Sequence, residues 1–594
     1  MAALSVTSPL TTLGTTISTP SSYHTARSDG EHAGDTSALT SVDDFDEYDQ
    51  SLTPPYRDAA QLPYEVKNQI QIHLEERLYP AALSMLHDLL SNCASFSPPS
   101  KDQSSQPPQK VFVPPPHQLA FLSSIAIHPR FTSAPFEEDK TSPPIRDGAA
   151  ALSYLRGLLS IAGPINANFR QAFEFKAASS SSSVYGTRSK RGDAFVDWST
   201  SDMSGADSDA SSSDIMGGTF AKTGILWNRA ADFWSVLGWA FWCAAFVPGR
   251  WKYWRPWLEF VVTVLEQDWD DRLAMDEKGT GDSNDEPYPM LRNSLLAAYL
   301  EDVSRSRKHV LKEVMRALTF ALEAGEKEAY GEVFVNERVV GPRHTKRKRA
   351  DTALDLENGC FGDYEDEDLD VEEGGTKAMD NEAASPPSAV FRLTDGVADT
   401  IPLRLRIFRL LSAAAHYLPD VSFPTSELYQ SFSDKVRTSP LPVFRLFLEA
   451  HNDLPGFVKV SLYRNIVDDL LPNNLPDPED VDPESNSRGG ISEVMMQKCF
   501  LPFPAGRITA EDNAKLSLVL ENMLWYLYSA TDISKAAGLR QAIETGIKAR
   551  EAKIKGRGRA AAAASKGSSA ADRMAREMLA RSSNNLRVFA RILG

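Results

Sequence analysis

Three stretches of this chain carry apolar residues at helical spacing, and segments poor in apolar residues separate them. The first stretch has an apolar residue at every fourth position: Leu62, Val66, Ile70, Leu74 and Leu78. This spacing places the side chains along one face of a helix. Pro80 stands where the first turn of a second helix tolerates proline. We therefore predict two helices, packed as an antiparallel hairpin, within residues 61–91.

The same pattern extends over most of the chain and indicates its fold class. Further helices are predicted at 117–127, 147–162, 164–176, 227–246, 254–275, 289–301, 303–326, 425–436, 440–451, 456–471, 491–500, 510–530 and 533–550. Strand signals are confined to Val111–Val113 and Glu332–Val335. Helix following helix without βαβ alternation predicts an all-α fold. Because no fixed repeat period is present, an irregular helical bundle and an array of helical hairpins both stay open.

The polar segments set the predicted domain organisation. Segments rich in Ser, Pro or acidic residues have too little apolar surface to offset the entropy of ordering. We predict long disordered segments at 1–60, 177–222 and 341–388. We predict helical blocks at 61–176, 223–340 and 389–547. Residues 548–594 hold twelve Lys and Arg against three acidic residues, which predicts a basic, partly helical tail.

The second block is rich in tryptophan, with eight of the chain's ten tryptophans between Trp227 and Trp269. Its segment Phe233–Val247 is uncharged but shorter than the roughly 20 apolar residues that span a bilayer. We therefore predict a helix buried in protein and expect no membrane partner. Large rings at helical spacing favour a core.

Two other uses of the tryptophans stay open. Aromatic residues interleaved with Arg and Lys also occur in surfaces that stack single-stranded nucleic acid. Exposed Trp and Arg are favoured anchors of protein interfaces. At the edge of the cluster, we take Trp251, Trp254 and Arg255 as a candidate partner surface.

Charged segments predict where the protein works. The run Lys346, Arg347, Lys348 and Arg349 is a compact basic cluster in a polar segment and is typical of a nuclear import signal. We therefore expect nuclear localisation. The stretch 355–382 holds twelve acidic residues and one Lys, and it suits either a solubilising spacer or a basic partner.

The basic tail has two predicted uses. Lys553, Lys555, Arg557 and Arg559 suit contact with a polyanion, because cations gain affinity by displacing counterions from nucleic acid. The segment after them is amphipathic, and its apolar residues suit docking on a partner. These residues are Met574, Met578, Leu579, Leu586, Phe589 and Leu593.

Motifs of catalysis are absent from the sequence. It has no P-loop, no GxGxxG after a strand, no HExxH and no GxSxG. The four cysteines form no CxxC pair, so we expect neither a metal site nor a cofactor.

These observations together predict a function class. We expect a non-catalytic helical scaffold or adaptor subunit of a nuclear complex, with protein subunits as partners and chromatin or RNA as the setting. The alternatives are a cytoplasmic helical adaptor in trafficking or signalling, and a protein that binds nucleic acid directly through the tail.

Overall fold

Helices form nearly all of the regular structure in the computed structural model of the chain. The described residues are 56–94, 110–132, 147–175, 225–279, 287–301, 306–322, 333–334, 395–450, 454–530, 537–561 and 570–593. All of them belong to one compact unit, Tyr48–Gly594. The all-α prediction is confirmed. The predicted disordered segments 177–222 and 341–388, and nearly all of 1–60, lie outside the described residues.

The N-terminal helices surround a very short sheet. They are α1 (Tyr64–Glu75), α2 (Tyr79–Ala94), α3 (Pro116–Ile127), α4 (Pro129–Thr132), α5 (Asp147–Asn166) and α6 (Phe169–Ala172). Strand β1 (Ala59–Gln61) pairs in parallel with β2 (Val111–Val113). The sequence predicted β2, whose Val-Phe-Val residues favour strands, but not β1, whose Ala-Ala-Gln residues do not. Val333 and Phe334, inside the second strand candidate, lie in no strand.

The tryptophan-rich helices are interrupted more often than predicted. They are α7 (Leu226–Arg229), α8 (Phe233–Phe246), α9 (Pro248–Gly279), α10 (Pro289–Arg292), α11 (Leu295–Leu300) and α12 (Arg307–Leu318). The Asp232 carboxylate accepts a hydrogen bond from the Ser235 amide at 2.7 Å, so a new helix begins at Phe233. Ser294 caps α11 in the same way through the Ala297 amide. These caps divide the predicted helices 227–246 and 289–301.

The tryptophan rings fill a core that the first two blocks share. Trp227 stacks on Phe173 with ring centroids 4.7 Å apart. The Trp257 indole donates to the Ser123 hydroxyl at 2.9 Å, inside the protein. The prediction that Phe233–Val247 is buried in protein agrees with the packing of α8, most of whose residues are buried. Among the described residues, no helix is both long and apolar enough to cross a bilayer.

The C-terminal helices include the tail. They are α13 (Asp395–Tyr417), α14 (Thr425–Thr438), α15 (Leu441–Glu449), α16 (Gly456–Leu470), α17 (Pro478–Val481), α18 (Pro483–Ser487), α19 (Glu493–Met495), a π-helix (Met496–Phe500), α20 (Ala510–Ala530), α21 (Ala537–Ala561) and α22 (Ala570–Ile592). The stretch 472–490, predicted as a loop, contains α17 and α18 because Asp477 and Asp482 cap their first amides.

Buried cations connect helices that are far apart in sequence. The Arg250 guanidinium donates to the carbonyl of Ile127, at the end of α3, and to the Thr132 hydroxyl at 2.6 Å. Arg404 donates to the carbonyls of Leu318, the last residue of α12, and Phe320. The last carbonyls of a helix lack intrahelical donors and carry partial negative charge. The cations therefore satisfy these carbonyls without a buried carboxylate.

Two further buried cations donate to backbone carbonyls in the C-terminal block, and one of them, Lys515, also pairs with Glu511 at 2.8 Å. The Lys515 ammonium donates to the carbonyls of Arg437 and Ser439, both at 2.8 Å. The fully buried Arg550 donates to the carbonyls of Leu501 and Phe503, both at 3.2 Å. Burial lowers the pKa of Arg550 to about 10, so its guanidinium keeps its charge at neutral pH.

One carboxyl on α9 gives a pH-dependent prediction. Burial, followed by repulsion from Asp268 and Asp270, raises the pKa of Asp271 to about 6. The folded state therefore binds this proton more tightly than the unfolded chain, in which aspartate has a pKa of about 3.9. We expect the Asp271 contribution to the free energy of unfolding to increase as the pH falls through about 6. In urea titrations, Asp271→Asn should be more stable than wild type near neutral pH, and the difference should shrink as the pH falls.

Asp420 supplies a control of opposite sign. The hydrogen bond from Arg292 lowers the pKa of the Asp420 carboxyl, so its ionised form stabilises the folded state. Asp420→Asn should therefore be less stable than wild type near neutral pH and approach it as the pH falls through the lowered pKa. Parallel pH profiles for the two variants would contradict this assignment.

A candidate partner-binding surface

The predicted partner surface on α9 is not formed. Trp251 and Trp254 are buried, and the Trp254 ring packs edge-on against Trp257 with centroids 5.4 Å apart. This prediction was wrong because the face of α9 that carries both rings points into the core. The half-exposed Arg255 guanidinium pairs with Glu259 at 3.0 Å and with Asp399 at 2.6 Å, so its charge serves contacts within the chain.

The two predicted basic sites have different outcomes. Lys346, Arg347, Lys348 and Arg349 lie outside the described residues, so the import signal stays a prediction. The second set lies on α21, which extends to Ala561 and makes this part of the tail a helix.

Within that second set the side chains differ. The Lys553 ammonium donates to the carbonyls of Ala505 and Gly506, so it is held within the chain. Lys555 is exposed. Arg557 and Arg559 belong to α21, but their side chains lie outside the described part of the structure. Polyanion contact stays a prediction.

The amphipathic end of the tail docks on its own chain. Helix α22 packs along α20, and Leu579, Leu586 and Phe589 are buried on this face. Residues in contact are Ser517 with Ser582, Glu521 with Asn585, and Trp525 with Phe589. Because the residue numbers increase along both helices from one contact pair to the next, the two helices run parallel.

Polar contacts hold these helices in register. The Ser582 hydroxyl and the Asn585 amide each donate to the Glu521 carboxylate at 2.8 Å. Burial raises the pKa of Glu521, although these two hydrogen bonds lower it. A shift of one turn would take both donors away from this half-buried carboxylate, which is unfavourable. These two hydrogen bonds to Glu521, which we call the Glu521 ladder, therefore specify a single alignment of α20 and α22.

A strip of large apolar side chains is exposed beside this ladder. The exposed fractions are 44% for Trp525, 42% for Tyr528, 50% for Val588 and 48% for Ile592. We call these four residues the aromatic strip. The rings of Trp525 and Tyr528 pack on buried Phe589, with centroids 5.0 and 5.7 Å away.

Helical periodicity and one hydrogen bond show that the strip is continuous. Trp525 and Tyr528 follow Glu521 on one face of α20, at spacings of four and three residues. Val588 and Ile592 follow Asn585 on one face of α22, at spacings of three and four residues. Since Glu521 and Asn585 are hydrogen bonded, the two faces lie side by side.

Two exposed arginines lie beside the strip. From Met578 to Ile592 the sequence contains three arginines and no acidic residue. Arg581 and Arg591 are exposed, whereas Arg587 pairs with Glu551 at 3.3 Å. The second half of α20, from Asn522 to Ala530, carries no charge. Cations therefore flank an apolar strip.

Sequence reasoning placed Trp525 in a helix but did not single it out. The missed signal is that Val588 and Ile592 fall outside the apolar stripe of Leu586, Phe589 and Leu593. An apolar residue off the buried stripe stays exposed unless something else covers it. Recognising the strip also required the pairing of α20 with α22, which periodicity alone does not supply.

Two clefts among the described residues are lined by charged side chains. A cleft of about 500 Å³ is lined by Arg437, Asp469, Arg507 and Asp512. Arg437 pairs with Asp469 at 3.2 Å, and Asp512 accepts from the Thr509 hydroxyl at the start of α20. Arg437, Asp469 and Asp512, three of the four charged residues of this cleft, are therefore engaged in contacts within the chain.

The charged side chains of the second cleft are also paired within the chain. A cleft of about 420 Å³ is lined by Arg156, Glu259 and Arg406. Arg406 pairs with Glu266, and Arg156 approaches Glu259 to 3.8 Å. Within the described ranges, no three His, Cys, Asp or Glu side chains are grouped to hold a metal ion.

Comparison with known proteins adds no relative. No family model matches the chain, and neither a curated protein nor a solved structure is similar to it. A functional assignment therefore depends on the chain's own surface chemistry, and the aromatic strip is the described feature with the strongest interface character.

Proposed function

We propose that the chain is a non-catalytic helical scaffold or adaptor subunit of a nuclear complex, and that the aromatic strip anchors a protein partner. The supporting observation is a continuous group of four large apolar side chains, each at least 42% exposed, on two paired helices. Trp, Tyr and Arg are enriched among the residues that dominate interface energies. Chromatin or RNA is the proposed setting of that complex.

The support beneath the strip favours this use. Phe589 is buried under the two aromatic rings, and the Glu521 ladder sets the helix register. A surface that is already ordered before binding avoids much of the entropy loss of association. The strip is thus preorganised for a partner.

Affinity purification with quantitative mass spectrometry tests the scaffold function. Full-length Val588→Glu introduces a charge into the strip, and Trp525→Ala removes its largest ring. We expect each variant to lose specific partners by about tenfold or more, which corresponds to about 1.4 kcal/mol. The matched control is Ile72→Glu on α1, where the isoleucine is 51% exposed. Unchanged partner recovery in both folded strip variants would contradict the proposal.

Nuclear localisation is tested separately. Replacing Lys346, Arg347, Lys348 and Arg349 by alanine should shift a fluorescent fusion from the nucleus to the cytoplasm. The control replaces three other basic residues of the sequence, Arg188, Lys190 and Arg191, which form a less compact cluster. A fusion that is cytoplasmic both before and after substitution would favour the alternative, a cytoplasmic adaptor in trafficking or signalling.

Direct binding of nucleic acid through the tail is the second proposal. Exposed Lys555 lies on the same helix as Arg557 and Arg559. Charge reversal of these three residues should weaken oligonucleotide binding and flatten its dependence on salt. Lys553 is left intact, since its contacts with Ala505 and Gly506 make its loss structural.

A further inference from the structure

We infer that the aromatic strip receives an amphipathic helix of a partner protein, and that acidic residues flank the apolar face of this helix. The inference rests on the proposed function and adds the chemistry of the partner to it.

The shape of the strip fits one face of a helix. Trp525 and Tyr528 are three residues apart on α20, and Val588 and Ile592 are four residues apart on the parallel α22. Each pair therefore spans about one turn, roughly 5 Å along its helix axis. Packed helices lie about 8–10 Å apart, so the two pairs form neighbouring rows of exposed apolar side chains. A guest helix places anchors at positions i, i+3 or i+4, and i+7 on such a surface.

The charges beside the strip specify an acidic guest. Arg581 shares the face of Asn585, Val588 and Ile592 on α22, at helical spacing. Arg591 is exposed next to Ile592. In the described structure neither arginine forms an ion pair with a carboxylate. Glu521 on the adjoining face accepts from Ser582 and Asn585, and its carboxylate is also attracted by the nearby Arg581 and repelled by Glu449.

The same surface is less suited to single-stranded nucleic acid. Bases bind such sites by stacking on successive aromatic faces. The rings of Trp525 and Tyr528 are perpendicular, with an interplanar angle of 90°, so they do not present parallel faces. Val588 and Ile592 fill half of the strip and have no ring on which to stack. These features favour apolar side chains of a protein as the bound groups.

The test uses full-length protein and three labelled peptides of equal length. The first is an amphipathic helix with Leu and Phe anchors flanked by Glu, the second carries Lys in place of Glu, and the third is a scrambled form of the first. In fluorescence anisotropy we expect the Glu peptide to bind at least about tenfold more tightly than the others. Its affinity should fall as salt screens the arginines.

Variants assign this binding to the strip. Val588→Glu should abolish binding of the Glu peptide, whereas Ile72→Glu should leave it unchanged. Arg581→Glu combined with Arg591→Glu should reverse the preference toward the Lys peptide. Circular dichroism melts of each variant confirm that the protein is folded before binding is compared.

Four outcomes would overturn the inference. They are equal affinity for the Glu and Lys peptides, full binding by Val588→Glu, tight oligouridine binding that the Glu peptide displaces, and peptide binding only after removal of 355–382. The last would make the chain's own acidic stretch the occupant. If strip variants still lose their cellular partners while the Glu peptide fails to bind, the scaffold proposal stands and the acidic-helix inference falls.

Discussion

Replacing Arg404 by methionine is expected to lower the free energy of unfolding by about 2–4 kcal/mol, because the change removes the guanidinium hydrogen bonds to two buried carbonyls. Arg404 is fully buried and donates to the carbonyls of Leu318 and Phe320. Its guanidinium also lies 3.9 Å from the centre of the Phe241 ring, which adds an attraction that methionine lacks. Methionine fills much of the volume, so the loss reports hydrogen bonding more than a cavity.

Relief of the arginine's own desolvation opposes this loss. Burying a cation is unfavourable, and an apolar replacement removes that penalty. The carbonyls stay buried in the variant, however, and each one left without a donor costs about 1–3 kcal/mol. The net effect of Arg404→Met on the free energy of unfolding is therefore still destabilising. In this respect the site differs from a buried ion pair, in which both charged partners can be replaced together by apolar residues.

Urea unfolding of the full-length protein measures the effect. The control is Arg255→Met, which removes a half-exposed guanidinium paired with Glu259 and Asp399. Exposed pairs contribute about 0–1 kcal/mol, so this variant should stay close to wild type. Arg404→Lys should be intermediate, because lysine keeps the charge but lacks the planar fork that reaches two carbonyls. Equal losses for the two methionine variants would show that Arg404 is not a helix cap.

Hydrophobic periodicity predicted the helical class and most helices of the fold. It did not predict the breaks at Asp232 and Ser294. A single polar residue inside an apolar run gives the same sequence pattern whether it caps a new helix or lies within a continuous one. It also missed the structural use of Arg404 and Arg550. A charged residue in an amphipathic pattern is assigned to the solvent face, and only the three-dimensional approach of a helix end creates its site.

The functional surface was predicted less well than the fold, for a related reason. Trp251 and Trp254 were chosen from composition, as tryptophans next to arginine, but both belong to the buried stripe of α9. The residues that are exposed, Trp525 and Val588, come from helices far apart in sequence. Their adjacency follows from the Glu521 to Asn585 hydrogen bond, which sequence periodicity does not contain.

Replacing Gly546 by alanine is expected to destabilise the protein by about 2–4 kcal/mol, the usual range for overpacking plus a lost buried contact. An added Cβ on α21 would lie 1.8 Å from the Leu501 carbonyl oxygen, far inside contact distance. Helix α21 would have to move away, which also weakens the bond from Arg550 to that carbonyl. Intrinsic propensity predicts the opposite, because alanine stabilises a helix interior by about 1 kcal/mol over glycine. The sign of the effect therefore decides between close packing and propensity.

Gly157 on α5 provides the matched control for this prediction. An added Cβ there would meet only the end of the Leu90 side chain, at 3.0 Å, and a leucine terminus can rotate away where a carbonyl cannot. Gly157→Ala should therefore change the free energy of unfolding by less than about 1 kcal/mol in urea titrations. If Gly546→Ala stabilised the protein, α21 would not rest on the Leu501 carbonyl. Arg550 and Lys553 hold α21 at the same place, because both bind carbonyls of the connection 501–506.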